Sequence, residues 1–327
     1  FGLFRPILSF SSNLIRIPRG KRLGKAAHQR FAGPIGRPYY PPVVPKTQFL
    51  SASIDVTAVI HQDDVRKFRE EGWCAVENLF DENEVAALAA EVDRFQRQGM
   101  VRNVRTESDG CTHSSQQANL QLIPLFDKSP LLRALPFTPK VADAVSRLIG
   151  DPYLLHLDQM FLKPARVGTG TSWHQDNAYF KIADPLRGTA MWLAVHDATV
   201  DNGTLRLIPG SHRESYAHKR DPYSDHHIRC EPHEERAVSV EVAGGGAVFF
   251  CYGTAHSTGD NRTDRARAGL AFHFLHEDCA ADDLVAGDRD RRPWVTGPRS
   301  SGGRSEYGVD VRGTFADEVE RTLATAS

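Results

Sequence analysis

The sequence predicts an α+β fold in which helices come first and a β-barrel or sandwich follows. Three observations carry that expectation. Apolar residues at helical spacing recur before Gly150. From Tyr153 onward the character changes to short β-rich segments with turn residues between them. No internal repeat interrupts this order. The chain has 327 residues, 40% hydrophobic and 25% charged, which suits one large globular domain with extensions or two ordinary ones.

Residues 1–54 form a basic arm rich in proline and glycine. They hold seven prolines, nine Lys and Arg and no acid, and no sustained period. One reading is a flexible arm. The other is an organelle transit segment, because an acid-free, Arg- and Ser-containing start with scattered apolar residues has that composition. The two imply a cytoplasmic and a mitochondrial location respectively. Order is expected from residue 55 to residue 280. Val65 and Phe68 give a helix over His61–Glu71, ended by Gly72. Trp73–Phe80 reads as a strand. Asp81 followed by Glu84 is a capping box, opening a helix to about Arg97 that buries Val85, Leu88, Val92 and Phe95. Residues 100–118 are a long polar loop, and Leu120–Leu125 a short apolar segment. Thr138-Pro139 opens a further helix that ends at Gly150. The strands then follow at Leu154–Lys163, Thr171–Asp176, Thr189–Asp197, Thr204–Ile208, Ala237–Val242, Ala247–Tyr252 and Ala266–Leu275. Residues 281–327 are a C-terminal extension, read as a segment able to fold over the barrel opening plus a short helix.

Composition excludes several classes of function. The basic residues concentrate in the arm and leave a mildly acidic body, the reverse of a nucleic-acid-binding domain. No stretch is long and apolar enough to cross a membrane. Cys74, Cys111, Cys230, Cys251 and Cys279 are odd in number, far apart and without a C-x-x-C pair. That argues against a disulfide framework and a structural zinc site. The sequence sets no oligomeric state.

The chemistry centres on Ser172-Trp173-His174-Gln175-Asp176-Asn177. Side chains at i and i+2 of a strand share a face, so His174 and Asp176 would aim at one point. Two histidines and one carboxylate form the facial triad that holds non-haem Fe(II) for oxygen chemistry. His256, just past the strand ending at Gly253, is the candidate third ligand. Arg267 opens the next strand. An inward-facing Arg needs an anionic partner, which a dicarboxylate cosubstrate would supply by bidentate hydrogen bonds. Arg265 lies two residues earlier, and spacing alone leaves both arginines open.

Three motifs now stand in order: Trp173–Asn177, Asp201–His212 and His256–Arg267. Together they resemble the phytanoyl-CoA dioxygenase family, over about residues 60–280. The resemblance implies a double-stranded β-helix (jelly-roll, cupin-like) core and dependence on Fe(II), 2-oxoglutarate and O2. It implies His174, Asp176 and His256 as iron ligands, and Arg267 as the anchor of the far carboxylate of 2-oxoglutarate. It also implies Thr258 as a hydroxyl assisting that arginine and Trp192 as a cosubstrate-lining residue. Ser257-Thr258 stands where members often have Gly-Ser. The implied reaction is hydroxylation of a small molecule, with release of succinate and CO2. Related halogenases lack the carboxylate ligand, so Asp176 favours hydroxylation; desaturation or ring formation stays open.

Gln159, Asn177 and Tyr179, with Phe180, are the expected substrate-lining residues. The His-rich stretch His212–Arg236 reads as a lid or substrate loop, and residues 101–119 as a second rim. Two rival functions carry the same residues: a cupin-like metalloenzyme without 2-oxoglutarate, and a non-catalytic binding protein on the same fold.

Overall fold

The structure is a computed structural model that describes residues 59–280, 292–301, 307–311 and 313–326. The chain divides after Ile54, and the basic arm lies outside the described residues. All elements below belong to the second unit, Asp55–Ser327.

Three layers make the domain. The helical layer contains α1 (Gln62–Glu71), α2 (Glu82–Arg97), α3 (Pro130–Ala134), α4 (Pro139–Ile149) and the C-terminal α6 (Phe315–Ala326). The middle layer is a seven-stranded sheet in the order β1-β10-β5-β12-β4-β3-β2. Its strands are β1 (Trp73–Val76), β2 (Arg102–Asn103), β3 (Leu120–Leu122), β4 (Tyr153–Lys163), β5 (Gly188–Ala194), β10 (Ala247–Cys251) and β12 (Arg267–His276). All of its pairings are antiparallel. The third layer is a small sheet in the order β11-β6-β9, from His256–Thr258, Leu205–Leu207 and Val238–Val240, and β7 (Lys219–Arg220) pairs separately with β8 (Ile228–Arg229).

The central strands are buried on both faces, and the alternation of side chains sorts them between two cores. Leu193, Phe249, Leu270 and Phe272 face the helices with Phe68, Leu88 and Val145. Trp192, Val248, Phe250 and Ala271 face the small sheet with Leu205, Leu207 and Val240. The same alternation puts Arg267, Ala271 and His273 of β12 on the inner face, opposite Lys163, Gln159 and Leu157 of β4 in register. Strand pairing therefore fixes what lines the interior.

The capping box at Asp81 is present. Asp81 Oδ1 accepts from Glu84 N at 2.9 Å, and Glu84 Oε2 accepts from Asp81 N at 2.8 Å. Asp81→Ala leaves the Glu84 amide without its acceptor. The expected cost is about 1 kcal/mol, read as a lower midpoint in thermal unfolding with metal binding unchanged.

Three expectations change. The strand from Trp73 stops at Val76, because Asn78 takes a left-handed turn (φ 54°). α3 interrupts a stretch without a recognisable period; five residues are too few to show one. Residues 171–176 do not form a continuous strand. His174 makes an isolated antiparallel bridge to His256, and Asp176 is already helical (φ −58°, ψ −32°), opening α5 (Asn177–Phe180). In the C-terminal extension, α6 packs on α2 and α3 in the helical layer. Residues 281–291, the first part of the segment read as a cover, lie outside the described residues. No helix among the described residues is long and apolar enough to cross a membrane.

Candidate functional site

His174 and His256 exchange both backbone hydrogen bonds, N to O at 3.0 and 2.9 Å, so their side chains leave adjacent strands on one face. Their rings lie 4.2 Å apart, centre to centre. Asp176 reaches the same point from the first turn after the bridge. Its Oδ1 lies 3.7 Å from Nε2 of His174 and 3.8 Å from Nε2 of His256. Gln175 holds the turn between them, its Nε2 donating to the carbonyls of Ser211, Glu214 and Gly253. The strand premise thus fails locally while the convergence it predicted holds.

The surroundings of these three residues suit a metal. Nδ1 of His174 donates to the Ser172 carbonyl at 2.8 Å, and Nδ1 of His256 to the Thr254 carbonyl at 3.0 Å. Both imidazoles then turn an Nε2 lone pair inward. Burial, and then the neighbouring His256, pushes His174 down to about 3; burial likewise lowers His256. Both rings are neutral near pH 7, as metal ligation requires. Burial works against a charged Asp176, but the facing His256, His273 and His174 hold its carboxyl below the ordinary carboxylate range. One donor atom from each of His174, Asp176 and His256 lies within 4.8 Å of the others. That donor set, two neutral nitrogens and one carboxylate oxygen in a buried pocket, fits Fe(II).

His273 was not legible in the sequence. Its Nε2 lies 3.3 Å from Asp176 Oδ2, the oxygen turned away from the two histidines. It therefore leaves Oδ1 for single-oxygen ligation. His273→Phe should weaken Fe(II) affinity by about 10–100-fold, the usual cost of losing a group that orients a ligand. Anaerobic Fe(II) titration checks this, and His273→Gln should recover part of the loss.

The triad opens into a cavity of about 220 Å³. At one end lie Arg267, Lys163, Thr258 and Trp192. Arg267 is fully buried, with its guanidinium carbon 5.3 Å from the centre of the Trp192 ring. Its Nη2 donates to the Gly203 carbonyl, whereas its Nε and Nη1 have no hydrogen-bond partner. Arg265 precedes the strand and is exposed, so of the two arginines Arg267 is the inward one. Thr258 Oγ1 accepts from Thr171 N at 2.9 Å. Lys163 escaped the sequence reading, because a lysine at a strand end ordinarily reaches solvent.

At the other end, Gln159, Leu157, Ile123, Tyr179, His226 and His227 line the cavity. Gln159 and Tyr179 are part of that lining. Asn177 is not: both ends of its amide bind the Ile182 backbone, closing the turn after α5, and its side chain stays outside this cavity. Of the His-rich stretch, only His226 and His227 reach the cavity. His218 Nε2 accepts from Gln175 N, and His233 pairs with Glu235. The two long loops clasp each other over this end. Thr106 N donates to Tyr223 O and Asp225 N to Val104 O, each at 3.1 Å, and the guanidinium of Arg105 lies over the Tyr223 ring.

Comparison with known proteins gives concordant results. The family model for phytanoyl-CoA dioxygenase matches residues 68–269. An ectoine dioxygenase of Bordetella bronchiseptica is 28% identical over 227 residues, 64% of this chain and 73% of that protein. Phytanoyl-CoA dioxygenase 1 of Oryza sativa is 28% identical over 174 residues, 51% of this chain and 61% of that protein. Among solved structures, EvdO2 of Micromonospora carbonacea with 2-oxoglutarate is 27% identical. It aligns with a TM-score of 0.50 over 66% of this chain and 91% of its own. The structure of EctD of S. alaskensis with 2-oxoglutarate and 5-hydroxyectoine is 21% identical. It aligns with a TM-score of 0.55 over 69% of this chain and 80% of its own, a likeness of fold.

Proposed function

The chain belongs to the phytanoyl-CoA dioxygenase family, and on that premise we propose that it is an Fe(II)- and 2-oxoglutarate-dependent hydroxylase of a small, largely uncharged metabolite. In this reading His174, Asp176 and His256 hold Fe(II). Arg267, Thr258 and Trp192 hold 2-oxoglutarate, and Gln159 and Tyr179 face the substrate. The bound iron supplies activation of O2, with conversion of 2-oxoglutarate to succinate and CO2.

The single observation that carries the reading is the polarity of the cavity along β4 and β12. Arg267 pairs in register with Lys163, Ala271 with Gln159 and His273 with Leu157. The cationic end is thus separated from the opposite end by about 13 Å or more, at about 3.3 Å per residue along the strand. Asp176 of the triad lies beside His273, six residues along β12 from Arg267. A dicarboxylate chelating metal at the triad would place its far carboxylate at the cationic end. The remaining space is lined by Gln159, Tyr179, His226 and His227 together with Leu157 and Ile123. Among the described residues, no Lys or Arg lines that part of the cavity. Such a lining suits a neutral molecule with one or two hydrogen-bonding groups better than an acyl chain carried on a phosphorylated cofactor.

The test is to incubate the Fe(II)-loaded protein with 2-oxoglutarate and O2, adding candidate metabolites one at a time. Succinate should rise above the uncoupled background only with a small neutral or weakly polar compound. Stimulation by acyl-CoA thioesters alone would overturn this choice of substrate class.

A further inference from the structure

His227 stands in the turn that joins β7 to β8 and lines the end of the cavity away from Arg267. Its backbone is held from both sides. The His227 N–H donates to Ser224 Oγ at 3.2 Å, and its carbonyl accepts from Asp221 N at 3.0 Å. The ring is held too. Nε2 of His227 lies 3.1 Å from Nε2 of Gln121, a buried residue of β3. An amide nitrogen only donates, so the imidazole takes this hydrogen bond on its Nε2 lone pair. The ring is neutral, because burial, then His226 and His174, hold it well below the ordinary histidine range. A neutral imidazole carries one proton, which is then on Nδ1. That Nδ1–H has no hydrogen-bond partner among the described residues.

A second donor stands beside it. Tyr179 follows the triad on α5, with its ring edge-on to that of His174 and the centres 6.1 Å apart. Its hydroxyl oxygen accepts from the amide of Ile228, the residue after His227, at 2.9 Å. That contact uses a lone pair and leaves the O–H proton without an acceptor among the described residues. His226 differs from its neighbour: its Nδ1 is spent on Asp225 at 2.6 Å, and the residue is exposed. This end of the cavity therefore offers two neutral donors, tied together through one stretch of backbone.

We propose that Nδ1–H of His227 and O–H of Tyr179 form a two-donor site for one carbonyl oxygen of the substrate, with Gln121 as the positioning residue that keeps the His227 proton on Nδ1. This rests on the hydroxylase reading above and narrows its substrate to a neutral ketone, lactam or ester. A carbonyl oxygen has two lone pairs and no proton, so it matches two donors. A substrate without an acceptor would leave both donors unpaired in a site closed to water, which costs affinity.

Two measurements test this. The first is histidine-selective nitrogen NMR of the protein loaded with diamagnetic Zn(II), with His227→Phe for assignment. Wild type should show His227 as the Nδ1–H tautomer, and Gln121→Leu a mixture of tautomers. An Nε2–H tautomer in wild type overturns the proposal. The second follows the visible band of the anaerobic Fe(II) and 2-oxoglutarate complex as probes are added. Cyclopentanone and cyclohexanone, which only accept, should perturb the band. Pyrrole, of similar size and only a donor, should not at equal concentration. His227→Phe and Tyr179→Phe should each weaken ketone binding about 2–10-fold, as for loss of one neutral hydrogen bond. His227→Asn should recover affinity, because its amide N–H takes the place of Nδ1–H; that recovery separates a lost donor from a disturbed turn. Equal perturbation by pyrrole, no perturbation by either ketone, or unchanged ketone affinity in His227→Phe overturns the proposal and leaves the hydroxylase reading standing. Absence of the band from wild type removes the hydroxylase reading, and this proposal with it.

Discussion

Asp176→Ala should abolish metal-dependent turnover and lower Fe(II) affinity by more than about a hundredfold. Loss of a group that merely orients a ligand already costs 10–100-fold. The carboxylate is the one anionic donor of the triad, and it reaches the site from the start of α5, not from the bridge that carries His174. Among the described residues, the groups within ion-pair distance of Asp176 are the imidazoles of His174, His256 and His273, and none of them is an anionic donor that could substitute for it. The fold should survive, because the β-bridge between His174 and His256 is made by backbone and the turn is held by Gln175. Equilibrium binding of Fe(II) with a circular dichroism check separates loss of metal from loss of structure. Asp176→Glu should not restore activity. An extra methylene moves the oxygen from its place near the two Nε2 atoms.

Arg267→Met carries the second large effect. The guanidinium is fully buried, one donor is spent on the Gly203 carbonyl, and Nε and Nη1 remain for a ligand. Removing it takes away a charge-assisted pair in a dry site, worth about 2–5 kcal/mol. The KM for 2-oxoglutarate should rise at least about thirtyfold, with a smaller change in kcat at saturation. That split marks a residue that binds cosubstrate without touching the reacting bond. Arg265→Met, on the exposed side of the same turn, should leave both constants unchanged. Steady-state kinetics with varied 2-oxoglutarate decides between the two arginines.

How much of this was legible in the sequence depends on how local each signal is. His174, Asp176 and His256 are marked by residue type and order, and these survive an error in secondary structure. The strand expected through Asp176 fails because Gln175 is buried against three carbonyls and Asn177 closes a turn with Ile182, two contacts made by parts of the chain far from or beyond the motif. Arg267 and Arg265 were indistinguishable because the difference lies in where β12 begins, and strand ends are set by tertiary pairing. His273 and Lys163 were invisible for another reason. All ten residues of β12 are buried, so its hydropathy pattern does not say which face meets the site. Lys163 closes an apolar strand whose last residue ordinarily reaches water, and its partners are turns about 40 and 96 residues away, a separation that only the fold closes. The helices were legible where a cap and a period coincide, as at Asp81 and Gly72.

The most direct test of the central claim is optical. Wild-type protein, held anaerobically with Fe(II), should develop a visible charge-transfer band when 2-oxoglutarate is added, because the cosubstrate chelates a metal held by His174, Asp176 and His256. The band should be absent in Asp176→Ala. It should appear in Arg267→Met only at much higher 2-oxoglutarate. A wild type that binds Fe(II) but shows no band at saturating 2-oxoglutarate, or an Asp176→Ala variant with an undiminished band, would contradict the account.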